Sequence, residues 1–228
     1  MTELATYDHA DGIATITLDD GKVNALSIEM LAAIGAQLDR AEGEEAVVVL
    51  TGREQTFSAG FDLKCEAERW PEMLVAGARL AERLLAFPRP VVAACNGNAI
   101  AMGGFVLLAV DVRVGADGPF RVGLNEVAIG LTLPWFGIEI ARHRLTRPAF
   151  DRYAVTGVLL APAEAQAAGF LDKLVPPAEL MPAALAAARQ LAGIDAAAHA
   201  ATKLRVRERA LAGVRDGIDR ITGTGREW

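Results

Sequence analysis

GIATITLDDGKVNALSIEMLAAIGAQLDRAEGEEAVVVLTG, residues 12–52, sets a helical pattern between two runs of β-branched residues. GIATITL (12–18) and AVVVLTG (46–52) read as strands from that β-branched content. IEMLAAIGAQLDRAE between them carries Ile28, Leu31, Ile34 and Leu38 at helical spacing. The unit is therefore strand–helix–strand. Outward from it the alternation continues. A helical stretch at 73–87 leads into PVVAACN (90–96), a third strand; residues 99–109 are apolar enough for a buried helix; and VDVRVG (110–115) returns to strand. This alternation predicts an α/β fold with a mostly parallel sheet covered on both faces.

Further along, Pro162 with AEAQAAG reads as a short helix, Pro in its first turn and Gly169 just past its end, and LDKLV (171–175) as a last short strand. From Pro182 the sequence is Ala-rich and helical with no strand signal. The expected organisation is a core over residues 1–181 and a separate helical layer over residues 182–228. Between Lys203 and Glu227 that tail holds seven Lys or Arg against four Asp or Glu, a local +3 in a chain of net charge −6. Its simplest reading is a solvated helix face.

At 228 residues and 52% hydrophobic, the chain can bury one large core, or one core and a small appendage. A net charge of −6 excludes a chain-wide positive field for nucleic acid or an anionic membrane. MTELATYDHADG is acidic without an apolar signal region, and no uncharged apolar run reaches the roughly 18 residues of a membrane span. A cytoplasmic protein is expected. Cys65 and Cys95 lack a metal-ligand spacing and read as reduced thiols, and His9, His143 and His199 are far apart, so no metal site is expected. Dinucleotide, P-loop and GxSxG motifs are absent, and Ser27 and Ser58 have no evident base.

Three stretches remain as candidates for chemistry. TFSAGFDLK (56–64) combines small residues that let a ligand approach the backbone, with Asp62 as a possible helix cap. CNGNAIAMGGFVLL (95–108) is a strand end, a tight turn and a helix start, where unpaired N–H groups face outward. VGLNEVAIGLTLPW (122–135) places one carboxylate, Glu126, among Val127, Ala128, Ile129, Leu131, Leu133 and Trp135, with no Lys, Arg or His in the stretch. Such a carboxylate loses hydration unless something pairs with it. The inventory is thus two groups of backbone donors and one acid in apolar company.

FSAGFDLK, then NGNAIAMGG followed by VDVRV, then GLNEVAIG and LLAPAEAQAAGFLDKLV resemble, in this order, the crotonase or enoyl-CoA hydratase/isomerase superfamily from Gly12 to about residue 215. The resemblance implies a crotonase-like spiral of strand–strand–helix repeats with a C-terminal helical trimerisation region. It also implies an acyl-CoA substrate, no separate cofactor because coenzyme A is part of that substrate, and a homotrimer or dimer of trimers. It is closest to the Δ3,Δ2-enoyl-CoA isomerases. Matched residue by residue, their catalytic acid falls on Glu126, and their oxyanion-hole residues fall on Phe61 and on Met102, with Gly103 the neighbouring candidate. Substrate contacts fall on Ala59, Gly60, Phe61, Asp62, Leu63, Met102 and Gly103. The second acid carried by hydratases matches Phe105. Adding water needs one group to deprotonate it and another to supply a proton, whereas one base can move a double bond from the 3- to the 2-position. The implied activity is therefore isomerisation of 3-enoyl-CoA to 2-enoyl-CoA. The alternatives are a hydratase whose second group comes from elsewhere, such as Glu139, and an acyl-CoA-binding protein without turnover. Coenzyme A phosphates need cations, for which Lys64, Arg69, Lys203, Arg205, Arg207 and Arg209 are the candidates.

Overall fold

Ser27 caps the first helix, α1 (Ile28–Gly43), its Oγ accepting the Met30 N–H at 3.2 Å, and Met30, Leu31, Ile34, Leu38 and Ala41 form its buried stripe. The computed structural model describes residues 3–224. Ahead of α1 lie β1 (Ala5–Ala10), β2 (Ile13–Leu18) and β3 (Ala25–Leu26). After it come β4 (Val47–Gly52), β5 (Thr56–Ser58), β6 (Gly60–Phe61) and α2 (Trp70–Ala86). The next turn is β7 (Val91–Cys95), β8 (Asn98–Ile100) and α3 (Met102–Ala109), followed by β9 (Val112–Ala116), β10 (Val122–Gly123) and α4 (Trp135–Arg144). Then come α5 (Arg147–Thr156), α6 (Pro162–Ala168), β11 (Lys173–Val175), α7 (Leu180–Ala192) and α8 (Ala196–Thr224).

The chain thus repeats strand, short strand, helix. The long strands make one sheet in the order β1-β2-β4-β7-β9-β11, antiparallel only at the β1–β2 hairpin and parallel elsewhere. The short strands make two small parallel sheets beside it, β10-β8-β5 and β3-β6. This is the crotonase-like spiral. The apolar runs that mark β4 and β7 serve two cores, because successive side chains point to opposite faces. Val48, Leu50, Val91 and Ala93 face the core shared with α1 to α4, while Val47, Val49, Val92 and Ala94 face Leu180, Ala184 and Ala188 of α7.

The C-terminal helical region divides between two faces. α7 starts at Leu180, so Pro182 lies in its first turn, and it covers the second face of the main sheet. α8 crosses α2 and α4, burying a stripe that includes Leu211, Val214, Ile218 and Ile221. Residues 99–109 are not one helix: the strand β8 runs to Ile100, and α3 begins at Met102 after a sharp turn at Ala101. Cys95 is buried, Cys65 half-buried, and both are free. Among the described residues no helix is long and apolar enough to cross a membrane.

Candidate active site

The first two stretches meet at backbone level. Ser58 Oγ donates to the Asn24 carbonyl at 2.8 Å and accepts the Gly60 N–H at 3.2 Å. Asn24 is buried in turn by bonds from its amide to the carbonyls of Leu18, Thr56 and Phe57. Gly60, at φ 97°, is held so near the start of α3 that a Cβ there would lie 2.8 Å from the Ala101 Cβ and 3.3 Å from the Met102 nitrogen. Only glycine meets both demands. Phe61, the next residue, has its ring edge-on to Trp70 at 6.1 Å between centroids and rests on Gly77, where a Cβ would lie 2.5 Å from the ring. Asp62 caps no helix; its Oδ1 accepts the Lys64 N–H at 3.0 Å and closes a local turn.

Ala101 has φ 51° and ψ −121°, a backbone region that non-glycine residues enter at about 1–3 kcal/mol of strain. The turn ends β8 at Ile100 and starts α3 at Met102. The first intrahelical bond is from Phe105 N–H to the Ala101 carbonyl, 3.1 Å, so Met102, Gly103 and Gly104 precede the hydrogen-bonded ladder. The Met102 side chain is buried, and Gly103 faces Ser58, where a Cβ would lie 2.6 Å from the carbonyl oxygen.

Glu126 follows β10 and opens a single 3-10 turn, Val127–Ile129. Its carbonyl accepts the N–H groups of Ile129 and Leu131 at 3.1 and 2.9 Å, which fixes the backbone. Its side chain is only 7% exposed, and Oε2 has no hydrogen-bond partner among the described residues. Burial pushes this carboxyl up to about 7, opposed only by a bond to its own N–H.

Two cavities meet at this carboxyl. One, about 140 Å³, is lined by Ala59, Leu63, Ala101, Asn125 and Ile129 as well as Phe61, Trp70, Glu126 and Leu131. The other, about 40 Å³, shares those last four and adds Leu74, Thr132 and Pro134. The structure therefore brings Ala59, Phe61, Leu63 and Glu126 together at the cavities, while Gly60 packs against Met102 and Gly103 against Ser58, and none of Gly60, Met102, Gly103 and Asp62 is among the lining residues. The expected site residues do not include Trp70, Leu74, Ala101, Asn125, Ile129, Leu131, Thr132 or Pro134, which also line the cavities. Asn125 and Leu131 lie in the quoted stretch around Glu126, but which of its residues face inward depends on the turn at Val127–Ile129.

Several expected residues stand elsewhere. Phe105 does not line the cavities; it is buried edge-on to Phe136 at 5.7 Å. Glu139 also lines neither cavity; it pairs with Arg142 and lies against Gly213 of α8. Arg69 is engaged with Glu72 at 3.1 Å and Glu29 at 3.6 Å, although Lys64 is exposed. The tail does not present one solvated cationic face. Lys203 and Arg207 are buried and hold Asp111, each at 2.7 Å, while Arg205 and Arg209 are exposed. Neither Lys203 nor Arg207 lines the Glu126 cavities. Arg226 and Glu227 lie outside the described residues.

Residues 8–215 match the family model for enoyl-CoA hydratase/isomerase. The human mitochondrial enoyl-CoA delta isomerase 1 is 31% identical over 213 residues, covering 90% of this chain and 70% of its own length. A Thermus thermophilus protein described as a putative enoyl-CoA hydratase is 33% identical, covering 95% of this chain and 88% of its own. Among solved structures, an apo enoyl-CoA isomerase from Mycobacterium tuberculosis superposes with a TM-score of 0.95 at 44% identity, covering 98% of this chain and all of its own. With the spiral fold and an acid-lined cavity beside a helix start already in place, these likenesses show that the chain belongs to the enoyl-CoA hydratase/isomerase family and is an enzyme of the crotonase superfamily.

Proposed function

We propose that the chain moves the double bond of a 3-enoyl-CoA to the 2-position, with Glu126 as its single base and the N–H groups of Phe61 and Met102 holding the thioester oxygen. Among the residues lining the two joined cavities Glu126 is the one titratable side chain, and that singleness carries the assignment. Removing a proton from C2 makes an enolate whose oxygen gains negative charge. Donors already aimed at that oxygen stabilise it without reorganising, each typically contributing on the order of 10²–10³ in rate. The same carboxyl then returns the proton to C4. A group held at about 7 suits both steps, since at neutral pH its acid and base forms are nearly equal in population. The reaction is redox-neutral and needs no cofactor beyond the coenzyme A of the substrate.

Hydration of 2-enoyl-CoA is the second reading, and Asn125 favours it: its Oδ1 is without a partner among the described residues and can hold a water beside Glu126. An amide cannot give a carbon its proton, which keeps isomerisation first. Incubation with 3-enoyl-CoA and, separately, 2-enoyl-CoA tests the order. Formation of 2-enoyl-CoA from the first supports the isomerase, and 3-hydroxyacyl-CoA from the second supports the hydratase. Thioester binding without either product marks an acyl-CoA-binding protein that has lost turnover.

The assembly we propose is a cytoplasmic homotrimer or dimer of trimers. Val127, Ile129, Trp135, Val155 and Val158 are exposed, and Gly157 brings the end of α5 against Ala128. Exposed apolar residues such as these are relieved by subunit contact. Sedimentation as a monomer at micromolar concentration would contradict it.

A further inference from the structure

Asp111, behind the C-terminal end of α3, opens a second cavity of about 520 Å³, larger than those at Glu126. The eight residues of α3 rise about 12 Å, which separates it from the Met102 end by roughly that distance. His143 and Arg144, at the end of α4, form part of its wall. His199, Lys203 and Arg207, four residues apart and so on one face of α8, form another.

The side-chain charges here do not balance. Lys203 and Arg207 share one carboxylate, Asp111. Arg144 meets none: it donates to the carbonyls of Leu108 at 2.9 Å, Val110, and Asp111 at 3.3 Å. Arg113, nearby, is matched by Asp172. Against Asp111 and the rim carboxylate Asp195, the three cations Lys203, Arg207 and Arg144 leave one positive charge without a side-chain counterion. The C-termini of α2 and α3 offset roughly half a charge each, and Asp195 at the rim is exposed to solvent.

Donors are also unspent. Arg144 Nη1 has no acceptor among the described residues. Lys203 makes one short bond, to Asp111, and one of 3.5 Å to the Arg89 carbonyl. His199 Nε2 is buried without a partner among the described residues. Burial, and after it the neighbouring cations, lowers the pKa of Arg144, Lys203 and His143. Burial first, and then the neighbouring Arg113 and Arg207, push Arg144 down to about 9. Burial likewise pushes Lys203 down to about 8 against the pull of Asp111. His143 falls to about 4, by burial and then by Arg144, Arg207 and Arg113.

We propose that this cavity binds a phosphate-type oxyanion, held by Arg144 and Lys203 with His199 Nε2 as a further donor. The proposal is independent of the chemistry assigned to Glu126. A compact anion supplies the acceptor that Arg144 Nη1 and His199 Nε2 lack, and the volume leaves room for the organic part of a phosphate monoester. Inorganic phosphate and the ribose phosphate of coenzyme A share this chemistry.

Titration calorimetry of the whole chain with inorganic phosphate, in chloride buffers of fixed ionic strength, tests it. The expected result is one saturable event per chain. Net proton uptake should accompany it just above the Lys203 value of about 8, because the anion restores the charge on Lys203, and should give way to proton release at lower pH, where the free phosphate is itself largely the monoanion. Arg144→Gln should weaken binding by about tenfold or more, as for a lost charge-assisted hydrogen bond, while Arg205→Gln on the exposed face of α8 should leave it unchanged. Since Arg144 also braces the end of α3, His199→Gln is the second variant and should weaken binding too. Displacement of phosphate by coenzyme A but not by its dephospho form assigns the site to the monoester; displacement by neither assigns it to free phosphate. Absence of a saturable event, or binding that survives unchanged in both Arg144→Gln and His199→Gln, overturns the proposal.

Discussion

Gly60 and Met102 approach so closely that a Cβ on Gly60 would lie 3.3 Å from the Met102 amide nitrogen. This contact fixes the distance between the Phe61 strand and the start of α3, and hence between the two N–H groups proposed for the thioester oxygen. Gly60→Ala would drive its methyl into the Ala101 Cβ and the Ile100 carbonyl, at 2.8 and 2.9 Å, in a backbone at φ 97° that alanine avoids. The expected result is a loss of kcat on the order of 10²–10³, the typical effect of losing one oxyanion donor, with thioester affinity changed far less. Steady-state kinetics beside direct binding measures both.

Because burial holds Glu126 at about 7, kcat/KM should rise with pH through that value and level off above it, as the acid becomes the base the reaction needs.

The same shift makes a stability claim. The folded carboxyl binds its proton more tightly than an unfolded one near 4.5, so its favourable contribution is full below about 4.5 and is lost as pH rises through about 7. Glu126→Gln, which cannot ionise, should therefore be more stable than the parent above pH 7, by on the order of 3 kcal/mol. Urea unfolding across the range should show the difference shrinking toward acid pH.

Asp111 is the joint between α8 and the body of the fold. Asp111→Asn would leave Lys203 and Arg207 buried against a neutral partner. A loss of about 3–5 kcal/mol is expected, the usual effect of breaking a buried pair from one side. Chemical denaturation checks it, and a change under about 1 kcal/mol, as for an exposed pair, would contradict it.

Phe105→Glu should destabilise the chain without creating hydratase activity. The ring is enclosed against Phe136 and does not line the Glu126 cavities. Removing such an aromatic alone typically costs about 3–5 kcal/mol, and an unpaired carboxylate adds to it. A folded variant that hydrates 2-enoyl-CoA would show that position 105 does reach the substrate.

What the sequence showed and what it hid follow from the range of the interactions. The runs in β4 and β7, and the Ile28–Leu38 stripe of α1, are local patterns and could be read directly. So could an acid in apolar company at Glu126. The division at Ala101 could not, because 99–109 is uniformly apolar and nothing local marks a left-handed alanine. The inward turn of Lys203 was equally hidden: its partner Asp111 is 92 residues away, and cations on a helix read as solvated until that partner is placed. Phe105 matched a functional position by counting, yet the packing of α3 on α4 directs its ring away from the cavities.

The most direct test of the central claim is the rate at which Glu126→Gln converts 3-enoyl-CoA to 2-enoyl-CoA, followed by absorbance at saturating substrate. The amide keeps the shape of the carboxyl and cannot take a proton. The predicted result is a fall in kcat of about 10²–10⁴ with thioester binding retained. A variant that binds the substrate and keeps more than about a tenth of the parent kcat, well short of the loss expected of a general base, would contradict the assignment of Glu126 as that base.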